Sequence, residues 1–133
     1  MAPSECRVLV VDDDRHVREA LTVTLRSLGF EVATAADGYG ALELLRVEQP
    51  NVVLLDLEMP KMNGWQFRAQ QLRDNRIASV PVVILSGRGD AARQARALGV
   101  AGGLQKPVDL DELEVRLCGA ARARHSPPGA APS

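Results

Sequence analysis

Two stretches of this chain, Val52–Leu55 (VVLL) and Val80–Leu85 (VPVVIL), carry an apolar residue at every position. A strand with one face in water alternates apolar and polar side chains, so unbroken runs of this length describe strands covered on both faces. Three further runs, Val8–Val11, Glu31–Ala35 and a weaker one around Gly103 and Leu104, read as companions in the same sheet. Between the runs, apolar residues return at helical spacing. Val17, Leu21, Leu25 and Leu28 form one stripe, closed by Gly29. Ala41, Leu44, Leu45 and Val47 suggest a second helix, stopped by Pro50. Phe67, Ala69, Gln70 and Leu72 fit a third after Gly64. Ala91 to Leu98 fits a fourth, closed by Gly99, and Leu110, Leu113, Leu117 and Ala121 make the last stripe. A strand followed by a helix thus occurs five times. Right-handed crossovers turn that order into an α/β fold: a doubly wound, five-stranded parallel sheet with helices on both faces.

The chain has 133 residues, one domain's worth, and is 46% hydrophobic and 25% charged, enough for one packed core. With one Trp, one Tyr and two Phe, that core must be aliphatic, and a platform for stacking bases is not expected. A net charge of -1 gives no electrostatic footprint for nucleic acid. The start lacks the apolar core of a signal sequence, and no apolar run reaches membrane-spanning length. The expectation is therefore a cytoplasmic protein with Cys6 and Cys118 as reduced thiols. Residues 1–5 read as an N-terminal extension, 6–122 as the folded unit and 123–133 as a flexible Pro/Ala/Gly-rich tail.

In open parallel sheets, ligands bind outside the carboxyl ends of the strands. Asp12, Asp13 and Asp14 follow the first run, Asp56 the third, Ser86-Gly87 the fourth and Lys106-Pro107 the fifth. Crowded carboxylates repel, and a hard divalent cation with oxygen ligands relieves the repulsion; Mg²⁺ fits, since it takes few carboxylates and keeps waters for phosphate. A carboxylate so placed can attack phosphorus, and an ammonium and a hydroxyl can receive the resulting negative oxygens. Each feature alone has a plainer reading. Asp14 is expected to cap a helix, Ser86-Gly87 alone is an ordinary turn, and a lone Lys-Pro is surface chemistry. Only their joint placement carries weight. His16 reads as an exposed polar residue, Trp65 as a packing or rim residue, and Arg122 and Arg124 as too short a basic run to bind nucleic acid.

VLVVDDD, VVLLDLEMPKMNG, PVVILSG and QKP, in this order, resemble the receiver domain of two-component response regulators, whose fold is flavodoxin-like. The resemblance covers roughly residues 6–122. It implies that Asp56 is the phosphoacceptor in a Mg²⁺-dependent reaction, fed by a sensor histidine kinase or phosphotransfer protein. It further implies that Asp13 ligates the metal directly, Asp12 acts through metal-bound water, and the backbone carbonyl of Glu58 completes the metal site. Ser86 and Lys106 would contact the phosphoryl group, Pro107 would follow a cis peptide, and Pro60 and Gly64 would shape the loop after Asp56. Such a domain is a signalling switch rather than an enzyme, acting through a downstream protein partner of unknown identity, without nucleic acid or membrane.

Two departures stand out. Gly103 occupies the position where the family usually carries Tyr or Phe, and the segment between Ser86 and Lys106 is short. The short fourth helix, flanked by glycines, is expected to be weakly held, and Glu58 is expected to pair with Arg88. The alternatives are a phosphorylation-independent interaction module, or a phosphohydrolase or FMN-binding protein of similar fold. A phosphohydrolase would want Asp-x-Asp-x-Thr after the first strand and an FMN site a Ser/Thr/Gly loop, whereas this chain has Asp12-Asp13-Asp14-Arg15-His16.

Overall fold

The computed structural model describes residues 2–59 and 61–124. Pro60, His125 and the rest of the Pro/Ala/Gly-rich segment lie outside the described residues. After a short 3-10 turn at Pro3–Glu5, the elements run β1 (Arg7–Val11), α1 (Arg15–Ser27), β2 (Glu31–Ala35), α2 (Gly38–Glu48), β3 (Val52–Asp56), α3 (Gly64–Arg73), β4 (Val82–Ser86), α4 (Ala91–Leu98), β5 (Gly102–Gln105) and α5 (Leu110–Arg124). The strands form one parallel sheet in the order β2-β1-β3-β4-β5. This is the flavodoxin-like arrangement the sequence predicts.

Period-two alternation divides the core into two layers. Leu9, Val11, Val53, Leu55, Val82 and Ile84 point to one face, against Ala41, Leu42, Leu45, Phe67, Ala95 and Leu98 of α2, α3 and α4. Val8, Val10, Val52, Leu54, Val83 and Leu85 point to the other, against Leu25 of α1 and Leu113, Leu117 and Ala121 of α5. Every residue of β3 and β4 is buried, which explains why these two runs show no polar alternation. Truncating one of them, such as Leu54→Ala, would cost about 2–5 kcal/mol.

One strand starts later than the sequence predicts. Val80 sits in a turn, its N–H donating to Ile77 O, and Pro81 has no N–H to give the ladder. The buried Gln71 side chain fastens that turn, donating from Nε2 to Ile77 O at 3.1 Å and Val80 O at 2.8 Å. Regular pairing then begins at Val82, opposite Val53.

The fourth helix is short, as expected, and both of its ends are hydrogen-bonded. Ala91, Ala95 and Leu98 are buried. The Asp90 side chain caps its start by accepting from Arg93 N–H, and Gln105 Oε1 accepts from Ala91 N–H at 3.2 Å. At the other end the Arg68 guanidinium donates to Leu98 O and Gly99 O, satisfying carbonyls the helix leaves open. Small side chains at 91, 95 and 103 account for this close seating: with no Cβ on Gly103, the backbone of Ala91 packs straight onto β5.

Candidate functional site

The sheet order reverses direction between β1 and β3: the chain passes from β1 outward to β2, then returns to β3 and continues through β4 to β5. A crevice at the carboxyl ends of strands is expected at such a switch point. Asp12 and Asp13 follow β1 there, and Asp56 ends β3. Carboxylate oxygens of these three residues lie within 4.8 Å of one another, with Asp12 and Asp56 buried and Asp13 exposed.

Asp12 is held rigidly. Its Oδ1 accepts from Asp14 N–H at 2.9 Å, and its carbonyl accepts from Arg18 Nη1 at 2.8 Å. Its Oδ2 is buried without a hydrogen-bond partner among the described residues. Burial is the main cause that raises the Asp12 pKa above its ordinary value; Asp56 and Asp13 add to it, while the Asp14 N–H and Lys106 oppose it. A lone buried acceptor among like charges is unfavourable unless something satisfies it. An all-oxygen donor set of this kind suits a hard divalent cation. Asp14, as predicted, does a different job: its side chain caps α1 by accepting from His16 and Val17 N–H, and His16 is exposed.

The other components converge on Asp56. Its Oδ1 accepts from Glu58 N–H at 3.2 Å, and Lys106 Nζ stands 3.4 Å from the same oxygen. Lys106 follows β5 and precedes a cis peptide to Pro107. Ser86 ends β4 fully buried; its hydroxyl lies 2.8 Å from Arg88 O and 3.3 Å from Glu58 Oε1. Gly64 opens α3 against Leu57, where a Cβ would collide with the Leu57 side chain, so its lack of one lets the loop after Asp56 turn tightly.

One expected contact is absent. Glu58 forms no ion pair with Arg88 among the described residues; its carboxylate turns inward and accepts from Gly87 N–H at 3.1 Å, with Ser86 Oγ beside it. Arg88 contributes through its backbone, whose N–H and carbonyl both bond Ser86 Oγ. A free backbone donor outcompetes an exposed guanidinium as a partner, because an exposed ion pair gains little in water.

A family profile described as the response regulator receiver domain matches residues 8–117. The chain belongs to this family. Among curated relatives, it is 38% identical to the response regulator MprA of Mycolicibacterium vanbaalenii over 84% of this chain and 48% of the relative. It is 35% identical to the transcriptional regulatory protein CrdR of Helicobacter pylori over 84% of this chain and 53% of that protein. The chain spans about half the length of the curated relatives it matches. Among solved structures, the chemotaxis protein CheY4 of Vibrio cholerae superposes with a TM-score of 0.78 at 30% identity, covering 86% of this chain and 98% of that one. A receiver domain protein from Clostridium thermocellum superposes with a TM-score of 0.80 at 27% identity, over 90% and 96%. The receiver domain is a module of two-component signalling, and the phosphohydrolase and FMN-binding alternatives are not favoured. No helix among the described residues is long and apolar enough to cross a membrane.

Proposed function

We propose that this receiver domain is a phosphorylation-dependent switch whose phosphoacceptor is Asp56, with residues 6–122 as the signalling unit. The observation that carries this reading is the buried Asp12 oxygen without a partner among the described residues, on a carboxylate clustered with Asp13 and Asp56 at the strand ends. Asp12, Asp13 and Asp56, with the backbone carbonyl of Glu58, would hold Mg²⁺, which supplies charge neutralisation for incoming phosphoryl oxygens. An Asp56 carboxylate oxygen attacks phosphorus, forming a P–O bond as the bond to the donor's leaving nitrogen or oxygen breaks. The Lys106 ammonium, 3.4 Å from Asp56, offers its donors to the new dianion, and the Ser86 hydroxyl is the second donor at the same rim. The donor is a histidine kinase or phosphotransfer protein, or a small acyl phosphate. Its output passes to a further protein partner.

Intact mass after incubation with acetyl phosphate tests this directly. One phosphoryl group should be gained with Mg²⁺, none without it, and none in Asp56→Asn. The rival reading, a phosphorylation-independent interaction module, is disfavoured by the acid set at the strand ends. That reading predicts no mass gain under any of these conditions.

A further inference from the structure

The Glu58 side chain occupies a position the chemistry of Asp56 needs. Glu58 is exposed, and an exposed glutamate free of partners would spread over many rotamers. Instead its carboxylate reaches across to the loop after β4. Oε1 accepts from Gly87 N–H at 3.1 Å and stands 3.3 Å from Ser86 Oγ. The Ser86 hydroxyl has a single proton and a shorter path to Arg88 O, so Gly87 N–H is the donor Glu58 holds outright.

The loop that carries these donors lies beside the lysine that reaches the acceptor carboxylate. Position 87 lies against the Lys106 side chain, whose Cδ would stand 3.7 Å from a Cβ there, and the Lys106 ammonium reaches Asp56. A Cβ at 87 would also stand 3.5 Å from Glu58 Oε2. Lys106 therefore links Asp56 to the loop of Ser86 and Gly87, and one donor of that loop is already taken by an anion of the same chain. Carboxylate and phosphoryl oxygens ask for the same partners, since both are acceptors that favour N–H and O–H donors.

We propose that the Glu58 carboxylate is an internal competitor for the phosphoryl group: it holds Gly87 N–H and crowds Ser86 in the resting domain, and must swing out before an anion on Asp56 can be bound. Glu58 is a positioning residue, with no part in bond making. This rests on Asp56 being the phosphoacceptor. An occupied site lowers apparent affinity by the fraction of molecules in which it is open.

The competitor depends on reach as much as on charge, so Glu58→Asp is the decisive variant: it keeps the charge and loses one methylene. Calorimetric titration of the whole chain with beryllofluoride, a phosphoryl mimic, in saturating Mg²⁺ should show about fivefold tighter binding for Glu58→Asp and Glu58→Ala, as expected for losing one exposed charge-assisted hydrogen bond. Glu58→Gln, whose amide oxygen can still accept from Gly87, should gain less. Hydrogen exchange at the Gly87 amide should be slow in the resting wild type and faster in Glu58→Asp. Wild-type affinity in Glu58→Asp together with a gain in Glu58→Gln would mean long-range charge repulsion, and would overturn the competitor. Equal affinity in all the variants would overturn it too. If the wild type takes up neither beryllofluoride nor a phosphoryl group, the assignment of Asp56 fails first and the competitor falls with it.

Discussion

Gly103 of β5 faces the backbone of Ala91 so closely that a Cβ at 103 would stand 2.8 Å from the Ala91 carbonyl carbon. The position where this family usually carries an aromatic ring is therefore filled by the first residue of a neighbouring helix. If Ser86 acts as a phosphorylation-linked switch, a different route is open to it. Ser86 bonds the Arg88 backbone, and Asp90 two residues later caps α4, so a shift of the hydroxyl would pull on the helix start.

Gly103→Ala should destabilise the fold by about 1–3 kcal/mol, because backbone must move to admit the methyl group. Gly103→Tyr should not restore a rotating ring; it should displace α4 and cost more. Urea denaturation checks both. A Gly103→Ala variant within about 0.5 kcal/mol of wild type, the range of an ordinary surface change, would show that the helix does not seat this closely.

Asp12, Asp13 and Asp56 repel one another in the metal-free domain, so Asp56→Asn should raise its melting temperature by removing one of the like charges. Mg²⁺ should stabilise the wild type by about 1.4 kcal/mol at a concentration tenfold above its dissociation constant. Calorimetric melts with Mg²⁺ and with chelator measure both effects. A metal-free Asp56→Asn protein that melts below wild type would contradict the shared pocket.

Burial pushes the Cys6 thiol up to about 12 from an ordinary 9.0, with Cys118 adding to the shift. Between those values the unfolded chain has released a proton that the folded chain still holds, so stability falls as pH rises. Its contribution is complete below pH 9 and gone once pH passes the folded value. Chemical denaturation at pH 8 and pH 10.5 should show a loss that is smaller in Cys6→Val. Equal losses in the two proteins would assign the alkaline destabilisation to other groups. At pH 8 both cysteines, buried and free, should react with a thiol reagent only as fast as the fold opens.

The sheet and its helices were legible in the sequence because they rest on local rules. Val52–Leu55 and Val82–Leu85 are apolar throughout since both faces are covered, and Gly29 and Gly99 end their helices where the backbone turns left-handed. Asp12, Asp13 and Asp56 could be named because the end of a strand in such a sheet fixes where the next residues lie, and each acid stands within two residues of the end of its apolar run. Polarity alone puts Val80 in the strand, since periodicity records nothing else; it is buried in a turn held by Gln71, whose hold no local pattern announces.

What only the tertiary structure decided are the contacts between loops that share no sequence neighbourhood. Glu58 meets Gly87 across 29 positions, and Arg68 reaches Gly99 across 31. Which partner a long charged side chain takes depends on which donor or acceptor the crossovers leave open within its reach, here a backbone N–H rather than Arg88. The same holds for Gly103. A glycine in a weak strand can be read as lost packing, but here its missing side chain is the space that α4 fills, and that follows from helix and strand meeting in three dimensions.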